Sequence, residues 1–266
     1  GLTLNASKTR VVCDGGAENQ GVRDLFPDIP PANIRSWASW EILGSPVGTE
    51  AASHMDFASA VAERACRKAR VITAVGKIDL HPGTALLKYC AGAVLINHIV
   101  RTCGATIIPQ VQQVDASVLE AWQECAFHLP PFQLQLATLP ASRGGLGLKQ
   151  LAPSAATAFI AAERDSRDLL QHLMTPAILE GLPEDPLLQS SMAWAREHMA
   201  PEAFHKISDY SNGSKTVKHS QSILAAPAQQ ALADELFSAA SEPMKARISS
   251  ASQLFASSWL SPARVT

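Results

Sequence analysis

Chemistry in this chain would have to come from its carboxylates, imidazoles, thiols and one glycine-rich stretch, and the spacing of each restricts what it can do. A two-metal phosphoryl-transfer centre gathers carboxylates around its ions. Here Asp14, Asp24, Asp28, Asp56, Asp79 and Asp115 each stand alone in the sequence. Glu163, Asp165 and Asp168 do cluster, but Arg164 and Arg167 are interleaved with them, the pattern of a solvated helix face with local ion pairs. The histidines are scattered: His98 shares a helical stretch with Arg101, while His54 and His81 flank another. A lone helical His packs or is solvated more often than it catalyses. Cys13, Cys66, Cys90, Cys103 and Cys125 form no CxxC or CxxC…H pattern. They support neither a zinc site nor a disulfide framework and read as buried thiols in a reducing compartment. A hydrolase using His98 or His128 with one of the cysteines would have no nucleophile motif behind it; HExxH, Walker A and GxSxG are all absent.

The glycine-rich stretch Arg143-Gly144-Gly145-Leu146-Gly147 offers a base and flexible backbone that could seat a phosphate. It lacks the strand–loop–helix grammar of a dinucleotide site. A turn that exploits unusual φ and close approach between helices is the plainer reading.

Charge says more when read locally. The net charge of −2 gives no global field to attract nucleic acid. Between Met55 and Gln110, however, seven bases (Arg64, Arg67, Lys68, Arg70, Lys77, Lys88 and Arg101) face three acids (Asp56, Glu63 and Asp79). Residues 163–209 reverse this, with nine acids against four bases. A basic helical face beside a neutral remainder is compatible with contact to a phosphate backbone.

The elements that must carry these residues are mostly helices. Abundant Ala and Ser with few Tyr and Phe favour helix over sheet. Strand character is confined to the first fifty or so residues. Arg10 to Cys13 forms a short strand ended by Asp14-Gly15-Gly16, Ile34 to Leu43 a second, and Val47 opens a short partner after Gly44-Ser45-Pro46. From Ser53, a plausible N-cap, Phe57, Val61, Ala65, Ile72 and Val75 follow a helical repeat to about Gly76. Further helices are expected over Thr84–Arg101, Asp115–His128, Phe132–Leu139, Pro153–Met174, Leu187–Met199, Gln221–Ala239 and Pro243–Leu260. The closest approach to a membrane span, Ala91–Val100, is interrupted by Asn97 and His98, so no membrane partner is expected.

Several segments together resemble one family. GLTLNASKTRVV at residues 1–12 is similar to the segment just after the catalytic Asp-Asp box in reverse transcriptases of non-LTR, LINE-like retroelements, typically GLxLNxxKT followed by a strand. Glu41-Ile42-Leu43-Gly44-Ser45-Pro46-Val47-Gly48 resembles their YLGxPIG hairpin. Leu86 through Thr102 is like the LLR…LNYLLRT helix of the thumb, and Leu139 to Leu148 is like the LPxxxGGLGLR segment. Ala246-Arg247-Ile248 to Trp259-Leu260 resembles a stretch further downstream. The order of the segments matches the family and spans nearly the whole chain.

The resemblance implies a mainly α fold: an end-of-palm segment with a primer-grip-like hairpin over residues 1–52, a helical thumb over 53–138 and a helical post-thumb extension over 139–266. It implies that Lys8 takes the place of the motif D lysine, which protonates departing pyrophosphate in the intact enzyme. It places Leu43 and Gly44 in the primer grip, and Arg64, Arg67, Lys68, Arg70, Lys88 and Arg101 along a thumb that tracks an RNA or RNA–DNA template-primer. The fingers and most of the palm, with the carboxylates that bind Mg in such enzymes, would precede residue 1. The chain by itself is therefore expected to hold no cofactor and to be inactive as an RNA-directed DNA polymerase, in a cytoplasmic or nuclear setting. The rival reading is a non-catalytic helical scaffold, a remnant of a decayed element.

Overall fold

The computed structural model describes residues 5–36, 40–42, 44–47, 51–126, 129–173, 175, 185–211 and 220–253. It divides into two compact units, Gly1–Phe57 and Ala58–Thr266.

Among the described residues, all the strands lie in the first unit. β1 (Val11–Cys13) runs parallel to β2 (Ile34–Ser36), with Val11 opposite Ile34 and Cys13 opposite Ser36. Parallel neighbours need a crossover, and the short helix α1 (Gln20–Leu25) provides it. Asn19 fixes both ends of that connection. Its side-chain oxygen accepts the Val22 N–H at 3.1 Å and its amide donates to the Asp14 carbonyl at 3.0 Å. Gly16, at φ +54°, lets the loop press onto β2, since a Cβ there would lie 2.9 Å from the Ser36 nitrogen. β3 (Trp40–Ile42) and β4 (Ser45–Val47) form a separate antiparallel hairpin in which Ile42 pairs with Ser45. The expected continuous strand Ile34–Leu43 is thus two strands in different sheets; Trp37 and Leu43 lie outside the described residues.

The second unit has only helices as regular elements among its described residues. It opens with most of α2 (Ala51–Ile78), whose Ala58, Ala62, Ala65, Ala69 and Ile72 recur at three- and four-residue steps and are buried. The helix begins before Ser53, so that residue is not its cap. After Asp79, whose carboxylate accepts the His81 N–H at 2.9 Å, α3 (Leu80–Cys90) starts with Pro82 in its first turn. The single helix expected over Thr84–Arg101 is two. Gly92, at φ +57°, separates α3 from α4 (Ala93–Cys103), and its missing Cβ would meet Val118 at 2.8 Å. α5 (Ile108–Cys125) starts seven residues earlier than Asp115, the expected start, through a 3-10 turn at Gly104–Ile107 with Pro109 near its N-terminus. Leu80–Cys125 contains a window apolar enough to cross a membrane by composition, half of it buried in the fold.

Ala69, Ile72, Leu87, Ala91, Val118, Ala121, Trp122, Ala137 and Leu148 form one core between α2, α3, α5 and α6 (Pro131–Thr138). The Trp122 indole N–H reaches the Thr84 hydroxyl at 3.0 Å, and that hydroxyl donates to the Leu80 carbonyl at 2.7 Å, so the large ring is buried without an orphan donor. A second core gathers on α7 (Ala155–Leu173) with α8 (Pro186–His198), α9 (Pro201–Ser211) and α10 (Ser220–Ala239), through Ile160, Ala195, Ile207, Tyr210 and Leu224. α11 (Glu242–Ala251) packs on the short turn Ala141–Arg143. The chain is mainly α with a short N-terminal strand segment, as its composition implied.

Candidate nucleic-acid interface

The cations singled out by charge lie on three helices. On α2, Arg64, Arg67, Lys68 and Arg70 are all exposed. Arg64 and Lys68 stand one turn apart, so they share a face. Arg67 makes a 3.7 Å ion pair with Glu63, both largely in solvent, which leaves its guanidinium free to rearrange at little cost. Arg70 reaches back to the Cys66 carbonyl at 3.5 Å. The same face continues into exposed Val71, Val75 and Ile78. One surface of a long helix is therefore cationic in its middle and apolar toward its end.

Lys77, near the end of α2, pairs with Glu124 at 3.0 Å, and Lys88 and Arg101 do not simply extend that face. Lys88, half-buried on α3, lies beneath the glycine-rich segment: a Cβ on Gly147 would stand 3.0 Å from both Lys88 Cε and Nζ. Its ammonium is also 5.2 Å from the centre of the Tyr89 ring. Arg101 is exposed in the last turn of α4.

In the first unit, Lys8 is exposed on a turn organised by two asparagines. Asn5 accepts the Lys8 and Thr9 N–H groups at 3.0 and 2.9 Å, and the Asn33 amide donates to the Ser7 carbonyl at 3.1 Å. Gly44 is exposed at φ +79° beside the Ile42–Ser45 pair. A Cβ there would meet nothing within 4 Å, so the backbone conformation rather than crowding demands glycine. Leu43 lies outside the described residues.

The glycine-rich segment is not a phosphate cradle. Successive N–H groups from Gly144 to Leu148 donate to carbonyls of Ala137, Leu139, Pro140 and Ala141, at 2.8 to 3.2 Å, so they are already spent. A Cβ on Gly145 would stand 2.1 Å from the Leu139 carbonyl oxygen. The Arg143 guanidinium donates to Gln230 on α10. The segment folds back on α6 and fastens the first helical core to the second.

The anchoring of the turn beyond that loop was invisible in the sequence. Asp115, expected at a helix start, is buried in the middle of α5. Its carboxylate accepts the Leu151 N–H at 2.9 and 3.1 Å and the Ala152 N–H at 2.9 Å. It thus caps, from another helix, the turn that leads into α7. Burial pushes its pKa up to about 6, against the pull of the Ala152 and Leu151 N–H groups and of Lys149. Burial likewise lowers the Lys149 pKa, with Asp115 opposing it.

Among the described residues, no group of three or more His, Cys, Asp or Glu side chains is placed to hold a metal ion. In the acidic cluster, Glu163 pairs with Arg167 at 2.7 Å and Asp165 accepts the Tyr210 hydroxyl at 2.8 Å. Cys125 is buried and hydrogen-bonded to the Ala121 carbonyl at 3.1 Å, with burial raising its pKa, the reverse of an activated thiol. His98 is exposed, and His128 lies outside the described residues. No family model matches the chain, and no curated protein or solved structure matches it either.

Proposed function

We propose that this chain is the template-primer-holding part of a retroelement reverse transcriptase, an end-of-palm segment with a helical thumb and extension, inactive in polymerisation by itself. The observation that carries the reading is the α2 surface: Arg64 and Lys68 one turn apart, flanked by Arg67 and Arg70, on the helix that directly follows a glycine-tipped hairpin. Cations at this spacing meet successive phosphates, and the neighbouring Val71, Val75 and Ile78 supply an apolar surface for sugar edges in a shallow minor groove. In the intact enzyme Lys8 would act as the proton donor to pyrophosphate, and Gly44 would let the primer's end approach the hairpin backbone.

The test is equilibrium binding of the full chain to a blunt RNA–DNA duplex over a range of salt concentrations. Binding that weakens steeply with salt and is indifferent to duplex sequence supports the reading. Absence of binding at low salt, or affinity that ignores salt, overturns it and favours a helical scaffold.

A further inference from the structure

Within the unit Ala58–Thr266, a cavity of about 370 Å³ opens between the loop after α6, the α8–α9 junction and α10. One wall is an aromatic pair. Trp194 and His198 sit one turn apart on α8, their rings stacked 4.5 Å apart and tilted by only 7°. His198 Nδ1 is 3.0 Å from the Trp194 carbonyl oxygen. A carbonyl can only accept, so Nδ1 is the donor of this bond. The pair is thereby held in one orientation by its own helix. The other polar side chains on the lining are the hydroxyls of Thr138 and Ser154, Lys149, Gln150, Gln229 and Glu235.

A second recess, about 580 Å³ and lined by Asn97 on α4 and Ala225 on α10, shares Lys149 and Gln229 with the first. The two are adjoining hollows with a common rim, one cation and one amide wide. That shape is longer than a single small planar molecule needs.

We propose that these hollows seat an unpaired stretch of nucleic acid strand, one base lying against the Trp194–His198 pair and its phosphate on Lys149. Stacking on an aromatic face accepts any base, and amides that both donate and accept match base edges. Glu235 repels phosphate and accepts N–H groups on a base edge, the ring N3–H of uracil included, so it orients the base inward and leaves the phosphate at the Lys149 rim. The inference rests on the nucleic-acid reading above for its ligand class, but it uses a different surface and a different, single-stranded substrate.

The experiment measures binding of the full chain to a labelled oligouridylate and to a blunt RNA–DNA duplex, with uridine monophosphate as competitor. Trp194→Ala is expected to weaken the single strand about 10-fold and Trp194→Phe to restore most of it, with duplex affinity changed by less than about 2-fold. Single-strand affinity unchanged in Trp194→Ala overturns the proposal. So does competition by the mononucleotide as effective as that of the strand, which would assign the hollows to a free nucleotide. Photocrosslinking of the unaltered chain with a 5-iodouridine strand gives a reading even where Trp194→Ala fails to fold. Adducts on the Pro186–His198 helix support the site, and adducts only elsewhere overturn it. Loss of duplex binding in the unaltered chain fails the thumb reading alone, whereas duplex binding with a Trp194-insensitive single strand fails this one alone.

Discussion

The Asp115 carboxylate lies 2.9 Å from the Leu151 amide nitrogen, thirty-six residues away in sequence, and through it α5 caps the turn into α7. The same contact sets a pH dependence. The native pKa of about 6 is above the roughly 3.9 of an unfolded aspartate, so the folded state holds this proton more tightly. The group's contribution to stability is complete below about pH 4 and is lost as the pH rises through about 6. Urea unfolding across that range should show wild type losing ground to Asp115→Asn as pH increases, because the amide keeps an acceptor and never carries a buried charge. Asp115→Ala should cost about 1–3 kcal/mol, since it strands the Leu151 and Ala152 donors in a buried site. A pH-independent difference between wild type and Asp115→Asn would contradict this account.

Two helical glycines make a prediction opposite in sign to helix propensity. Replacing Gly83 by Ala should stabilise a helix by roughly 1 kcal/mol on propensity alone. Here the added Cβ would stand 2.4 Å from the Gly76 Cα, where α2 and α3 cross over Cys125. Gly83→Ala should therefore lower stability by about 1–3 kcal/mol, read as a drop in the thermal midpoint. A rise would show that the two helices can move apart at little cost.

Gly44→Ala provides the contrasting case. Its site is open, with φ at +79°, so only backbone strain of about 1–2 kcal/mol opposes the change. Amide exchange should quicken in the hairpin, with protection in the α7 core unaltered.

For the α2 surface, Arg64→Gln and Lys68→Gln should each reduce the salt dependence of duplex binding by about one unit of slope, without changing sequence preference. Lys88→Gln should behave differently, because Lys88 packs under Gly147. It is expected to lower thermal stability more than it lowers the slope. Equal slopes for all three variants would remove the distinction between the exposed and the packed cations.

Thiol labelling gives an independent check on the burial pattern. Cys103, its pKa raised to about 11 by burial, and Cys125, also raised, should resist iodoacetamide at neutral pH in the folded chain. The half-buried Cys13 and Cys90 should label first, as mass spectrometry of the digested protein can show. Cys125 reacting as fast as Cys90 would mean that α5 opens locally.

The sequence by itself determined the parts of this protein that depend on near neighbours. Alanines and β-branched residues at three- and four-residue steps dictated α2, and Gly44 between two short apolar runs dictated the hairpin. Prolines and the apolar period put most of the expected helix limits within a few residues of their places. The exposed cations of α2 were legible too, because a charge amid periodic apolar residues has only one face to occupy. Tertiary structure decided what depends on distant partners. Gly92 reads as one more tolerable helical glycine until Val118 is seen to occupy the space of its side chain. Asp115 reads as the first residue of a helix until Leu151 and Ala152 arrive to be capped by it. The glycine-rich loop looks able to bind phosphate until its own carbonyls take up its donors, and Trp194 and Lys149 share a hollow only because α8 and the loop before α7 meet in space. Period and propensity are summed over a few residues, whereas a hydrogen bond or a steric limit is set by whichever atom the fold brings within reach.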